Sequence, residues 1–234
     1  MKPWTARMPL ILRYHSVDRI ADARRPPVRP ETFERQMDWL HRNGLRGVSV
    51  GELREARRAG RGRGLVGLTF DGGHACFATR AAPVLVRRGF TATVFVPAEK
   101  IGSDAPGPRR GPISPRQLRC MAGMGMEIGS HGLRHVSLPE TDDEELAEEL
   151  TRSRAILEEI IDGPVTGFAY PYGRVSHREV DAVRKAGYEY ACAIEPSPLI
   201  GDHALPRTCM DDRDRGLRMW GKLLRHQIRW LTWV

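Results

Sequence analysis

The chain is short of several things, and each shortage narrows what it can be. Cysteine is scarce: four residues, at 76, 120, 192 and 209, with no paired spacing among 234 positions. That excludes a disulfide framework or a zinc knuckle and predicts reduced, mostly core thiols. Aromatic residues are only 7% of the chain, and no aromatic-studded RNA-binding pattern, helix-turn-helix or zinc finger stands beside the basic residues. No apolar run approaches the roughly 18 residues that span a bilayer. Met1–Arg7 begins basic, but Arg13 and His15 cut the following apolar run below the length of a signal-peptide core, so a cytoplasmic protein is the expectation. Acidic residues are in deficit, 29 against 37 basic ones, for a net charge of +8. The excess is dispersed arginine, which reads as coding bias and predicts no nucleic-acid partner.

What is present is an alternation. Hydrophobic residues make up 41% of the sequence, enough for one sizeable core, and the length fits one domain better than two. Apolar, strand-like runs occur at 9–17, 47–50, 66–70, 92–96, 126–129, 167–170 and 190–194, with a short one near Leu205. Several are near-continuous, as in parallel strands covered on both faces. Helical patterns separate them. Phe33, Met37 and Leu40 share one face over 30–43, and 74–88 stops at Gly89. A capping pattern opens 141–161, and Ser176 caps 176–186. Residues 101–111 and 56–64 read as a Gly/Pro-rich loop and as a solvated helix end with its turn. Seven or eight strands alternating with helices predict an α/β fold, a closed or nearly closed barrel of parallel strands over 1–213, with 214–234 as a basic amphipathic helix.

In such barrels chemistry sits on loops after the C-terminal ends of strands. The loaded residues fall there: Tyr14-His15, Asp71-Gly72-Gly73-His74, Ser130-His131-Gly132-Leu133-Arg134-His135, Tyr170-Pro171-Tyr172-Gly173 and Leu205-Pro206-Arg207. His131 and His135, four apart in a tight segment, can face one point, which suits a divalent metal, or a turn cap and a surface residue. Asp71, ending a buried strand, suits a metal ligand, a general base or an Asx turn.

Taken together, "TFDGG", "SHGLRH" and "YPYG" resemble the polysaccharide deacetylase (NodB-homology) family of metal-dependent carbohydrate de-N-acetylases, over roughly Leu10 to Arg207. The resemblance implies a distorted (β/α) barrel and a divalent cation, zinc first, with cobalt or nickel as alternatives. It implies Asp71 as the base that activates water and His131 and His135 as metal ligands. It implies His15 as the general acid, since Tyr14-His15 is similar to an early Tyr-His pair in some members. Tyr14, Tyr170 and Tyr172 are expected at the substrate, with the Tyr172 backbone N–H facing the tetrahedral oxyanion. Arg207 is expected to orient Asp71 or bind substrate.

The chain departs from the pattern at one place. The family motif has Thr-Phe-Asp-Asp-Gly, and its second aspartate completes the metal site; here that position is Gly72. Three readings follow. His74 replaces the missing ligand, two histidines and water hold the cation, or the site is metal-free and Asp71 and His15 serve other chemistry. His74, at a helix start, points elsewhere unless the two glycines redirect the loop.

The sequence therefore predicts a hydrolase that removes an N-acetyl group from a sugar or glycosylated metabolite. The alternatives are metal-independent acid–base chemistry on a small molecule and a non-catalytic carbohydrate-binding protein. The tail, 216–234, mixes basic residues with Trp220, Leu223, Leu224, Ile228 and Trp230. It is expected to pack on the barrel or a second subunit, with peripheral contact to the inner membrane surface as the alternative.

Overall fold

A computed structural model describes residues 9–19, 27–102, 111–194, 199 and 201–231. The loop expected at 101–111 lies largely outside these. Among the described residues eight strands form one curled, all-parallel sheet: β1 (Ile11–Tyr14), β2 (Arg46–Val48), β3 (Leu65–Asp71), β4 (Thr93–Val96), β5 (Glu127–Ser130), β6 (Gly167–Ala169), β7 (Tyr190–Cys192) and β8 (Thr208–Cys209). The order is β7-β6-β5-β4-β3-β1-β8, and β2 pairs with β3. β2 pairs with the first half of β3 (Val48↔Gly67) and β4 with its second half (Thr69↔Thr93). Both sit on the side of β3 opposite β1, which distorts the barrel. The open side is bridged by one segment. Leu205 exchanges backbone hydrogen bonds with β7, and Thr208–Cys209 then pairs with β1. The expected fold is the one observed.

Among the described residues seven α-helices flank the sheet: α1 (Pro30–Arg42), α2 (Val50–Arg58), α3 (Ala82–Val86), α4 (Pro115–Gly123), α5 (Asp143–Ile161), α6 (His177–Lys185) and α7 (Gly216–Leu231). Sequence periodicity missed α4 and saw only the end of α2. Both are short, and each begins at a serine cap whose hydroxyl accepts an N–H of the first turn, from Glu52 and Gln117. On α5 the cap is Asp142, which accepts from the Glu145 N–H, one residue past the expected Thr141. The helix expected from His74 begins one residue later, at Ala75, and widens over Phe77–Ala81 before leading into α3. His74 instead makes a strand-like bridge to Pro112.

Strand alternation sorts the side chains into two layers. Leu12, Tyr14, Leu68, Phe70, Val94, Val96, Ile128 and Phe168 face the helices in the main core. Ile11, Phe95, Ala169, Tyr190 and Cys192 face the barrel interior with Leu205. Arg13 and Asp71 have the inward parity of their strands, and His15 and His131 continue it just past them. At the floor, Glu127 accepts from Tyr190 Oη–H at 2.8 Å, Thr93 Oγ1–H at 2.6 Å and the Gly51 N–H at 3.0 Å. The barrel is therefore closed below and open at the C-terminal ends of its strands.

Candidate functional site

The centre of the open end is Asp71, 1% exposed, the last residue of β3. Arg207 Nη1 donates to its Oδ1 at 2.6 Å and Nη2 to its Oδ2 at 3.0 Å. Arg13 Nε donates to Oδ2 at 2.6 Å. Arg207 is itself fixed by the Ala193 carbonyl at 3.0 Å, and Arg13 Nη1 reaches Cys209 Sγ at 3.2 Å. Burial by itself would push the Asp71 carboxyl up. The guanidiniums of Arg207 and Arg13 outweigh it and hold the group well below the usual carboxylate range. Asp71 is thus an ionised carboxylate whose Oδ2 takes two N–H groups while Oδ1 takes one and keeps a lone pair for another proton donor.

Beyond β5 the chain turns through Ser130–His135. His131 is buried, and its Nδ1 lies 2.7 Å from the Ala169 carbonyl. A carbonyl only accepts, so Nδ1 carries the proton and Nε2 presents a lone pair. Burial, partly opposed by Asp71 and reinforced by His135, pushes the His131 pKa down to about 3. The ring of His135 stands edge-on to it, centroids 4.7 Å apart. Tyr172 stacks edge-on against His135 at 4.9 Å and is 51% exposed. His135 and Tyr172 both sit at positive φ, 67° and 59°. That conformation is uncommon for such side chains, and held strain of this kind clusters at functional sites.

A second imidazole pair lies at the glycine loop. His15 and His74 have ring centroids 5.4 Å apart. Gly72 (φ +99°) and Gly73 (φ +59°) take the backbone through a path that few side chains permit. A β-carbon on Gly72 would lie 2.8 Å from His74 Nε2 and 3.2 Å from His15 Cε1. The loop has therefore been redirected as the two glycines allow, and His74 turns back into the space a side chain at 72 would fill.

The donors fit a cation in kind. His131 Nε2 offers a neutral nitrogen lone pair of the kind a cation takes, with the His135 ring beside it, and the carbonyl behind His131 fixes its tautomer. What they lack is a third partner: among the described residues no three His, Cys, Asp or Glu side chains gather as metal ligands. His74, the other histidine expected at the cation, stands with its ring centroid 5.4 Å from that of His15.

Two tyrosines expected at the substrate belong to the core instead. Tyr14 is fully buried, stacks on Phe70 at 5.2 Å and donates to Gln36 Oε1 at 3.1 Å. Tyr170 is fully buried and donates to the His203 carbonyl at 2.8 Å. Both have the outward parity of their strands. Sequence reasoning missed two residues in turn. Arg13 was legible, two residues before His15 on a strand whose odd positions point inward. Glu149 was not, since it lies on α5, outside the sheet. Fully buried, it accepts the Leu133 N–H at 2.7 Å, the Arg134 N–H at 3.1 Å and Arg134 Nε at 2.8 Å, tying down the loop between the two histidines.

With that geometry in place, comparison with known proteins is informative. Residues 58–191 match the family described as Polysaccharide deacetylase. The chain belongs to the polysaccharide deacetylase family. It is 28% identical over 202 residues to the YxkH protein of Bacillus subtilis strain 168, covering 86% of this chain and 69% of that protein. The poly-beta-1,6-N-acetyl-D-glucosamine N-deacetylase of Staphylococcus aureus (strain MSSA476) is 23% identical over 193 residues, 77% of this chain and 66% of the enzyme. The enzyme of the same name from Escherichia coli K12 is 38% identical over 87 residues, 36% of this chain but 13% of the enzyme. Among solved structures, the Streptococcus pyogenes deacetylase PplD in complex with acetate superposes with a TM-score of 0.83, at 20% identity, over 94% of this chain and 99% of PplD. That likeness is one of fold.

Proposed function

We propose that this polysaccharide deacetylase family member removes the acetyl group from the nitrogen of an N-acetylated amino sugar in a glycan or glycosylated metabolite. The observation that carries this reading is Asp71, ionised and aimed by two arginines, at the same barrel mouth as the His131–His135 pair, with His131 held in one tautomer. Relatives named as poly-beta-1,6-N-acetyl-D-glucosamine N-deacetylases support the substrate class.

In this reading Oδ1 of Asp71 accepts the proton of the attacking water, being the carboxylate oxygen with the freer lone pair. His15, half-buried at the end of β1, delivers a proton to the departing amine. The C–N bond breaks, and acetate and a free amino sugar leave. The Tyr172 backbone N–H serves the developing oxyanion, which gives its positive φ a purpose. His131 and His135 would hold the divalent cation, zinc first, which when bound polarises the acetyl carbonyl and acidifies water. By the family resemblance the position that would supply its anionic ligand is Gly72. The absence of a third donor among the described residues supports a second reading, a relative that binds glycans with little or no turnover. A reducing, cytoplasmic setting is proposed on four cysteines that remain free thiols.

The test is acetate release from N-acetylglucosamine oligomers with zinc supplied, comparing the native chain with Asp71→Asn. Turnover lost in the variant with glycan binding retained supports the hydrolase. Glycan binding by the native chain without acetate release supports the second reading.

A further inference from the structure

The last helix carries a surface that catalysis does not use. Along α7, Met219, Leu223 and His226 face the barrel and are buried. His226 Nδ1 lies 2.7 Å from Thr208 Oγ1, and its Nε2 lies 3.2 Å from the Pro9 carbonyl. The carbonyl must accept from Nε2–H, so the Thr208 hydroxyl donates to Nδ1 and the imidazole is spanned from both sides. That docking is the one expected from the tail's amphipathic pattern. A second apolar row remains. Leu217, Trp220 and Ile228 are 88%, 43% and 48% exposed, and half-buried Leu224 lies between them. At spacings of three and four residues these share one stripe turned away from the barrel. Three of the six exposed large hydrophobic residues among those described are on this helix.

A basic sector lies beside the stripe, with Arg218, Lys222 and Arg225 again at spacings of four and three. Buried Asp214 takes Lys222 at 2.5 Å and Arg218 at 3.5 Å, and Asp211 lies 3.6 Å from Lys222. Arg218 and Arg225 are exposed. Residues 216–234 contain no aspartate or glutamate, while Arg229 adds a further positive charge to the sequence.

We infer that the outward face of α7 docks on an anionic lipid surface, its apolar stripe at the acyl boundary and its basic sector against the headgroups. Charge decides between occupants. A second copy packed antiparallel across a two-fold axis would place one basic sector beside its twin, and a parallel one would leave both sectors unmatched, whereas an anionic bilayer meets the sector with the opposite sign. No described helix is long and apolar enough to cross a membrane, so the contact is peripheral. The helix starts beyond the C-terminal end of β8 and runs back to Pro9, along the barrel's flank, so docking leaves the mouth open.

The experiment is flotation of the full chain with vesicles of phosphatidylcholine alone or with 30% phosphatidylglycerol, for the native protein, Leu217→Glu/Ile228→Glu and Arg218→Gln/Arg225→Gln. The expected result is binding to the anionic vesicles only, weakened about tenfold or more in each variant and reduced by salt. Circular dichroism checks folding. Should a variant fail to fold, quenching of native tryptophan fluorescence by brominated acyl chains decides the matter on the native chain, with quenching expected and its absence counting against docking. Three results would overturn the inference: no binding to anionic vesicles, binding unchanged in the folded variants, or a solution dimer that Leu217→Glu/Ile228→Glu dissociates in a chain that ignores vesicles.

Discussion

The imidazole of His74 stands where a side chain on residue 72 would have to go, with Nε2 2.8 Å from the position of a β-carbon on Gly72. The two positions are therefore coupled: a histidine folded back in this way requires a glycine beneath it.

That coupling predicts a non-additive pattern in cation binding. By isothermal titration with zinc, His131→Ala should abolish binding, while His74→Ala should stay within about threefold of the native chain, since His74 faces His15. Gly72→Asp alone should gain little, because the new side chain meets His74. Gly72→Asp/His74→Ala should bind at least about tenfold more tightly, as an anionic ligand joins two neutral ones. Equal affinities for the single and double variants would refute the coupling.

The arginine clamp on Asp71 gives a stability prediction. Removing one partner of a buried ion pair leaves a charge without compensation, at a cost of about 3–5 kcal/mol. Arg207→Gln removes two of the three N–H groups on Asp71 and leaves Arg13 as its remaining guanidinium, so it should lower stability to urea by up to that amount, and Arg13→Gln, which leaves the bidentate Arg207 in place, by less. The pH dependence has a definite sign. The folded carboxyl is held below its unfolded value, so its contribution is complete above the ordinary carboxylate range and is lost as pH falls. Urea titrations at about pH 7 and at about pH 2.5, below the ordinary carboxylate value, would show the native chain losing more than Asp71→Asn does.

Glu149 is predicted to act on the site from outside the barrel. Glu149→Ala strips acceptors from two loop N–H groups, each worth about 1–3 kcal/mol when left unsatisfied. Zinc affinity should fall about tenfold as the His131–His135 loop loosens, with Glu149→Gln recovering part of it. Unchanged affinity in a folded Glu149→Ala protein would confine the residue to a structural role.

Thiol chemistry provides a check on the barrel itself. Cys120 and Cys209 are exposed, whereas Cys76 and Cys192 are buried. Burial pushes the Cys192 thiol up to about 12. Brief iodoacetamide treatment of native protein should label Cys120 and Cys209 alone, and all four after urea, by peptide mass spectrometry. Rapid labelling of Cys192 in the native state would contradict its placement inside the sheet.

Much of this was legible in the sequence because a strand alternates faces. Inward parity links Arg13 and His15, then Thr69 and Asp71, and finally Gly129 and His131, and the same rule sends Tyr14 and Tyr170 outward. Reading the motifs as clusters of polar residues, without parity, placed both tyrosines at the substrate. Asp71, His131 and His135 were visible because strand-end chemistry punctuates apolar runs. Glu149 was hidden because its partners are backbone N–H groups, which leave no mark on the pattern of residue types. The direction of the His74 ring was hidden for a related reason: it depends on two glycine dihedral angles.

The segment that brings Leu205 to β7 and Thr208 to β1 also carries Arg207 to Asp71, across 136 positions of the chain. During synthesis the carboxylate of β3 leaves the ribosome long before its principal counter-ion. Until then the nascent sheet has an open seam, and Arg13 on neighbouring β1 is the one guanidinium that meets Asp71. Closing the seam adds the other two N–H donors, so a chain stopped short of Arg207 should keep both an unpaired sheet edge and a carboxylate that still calls for water.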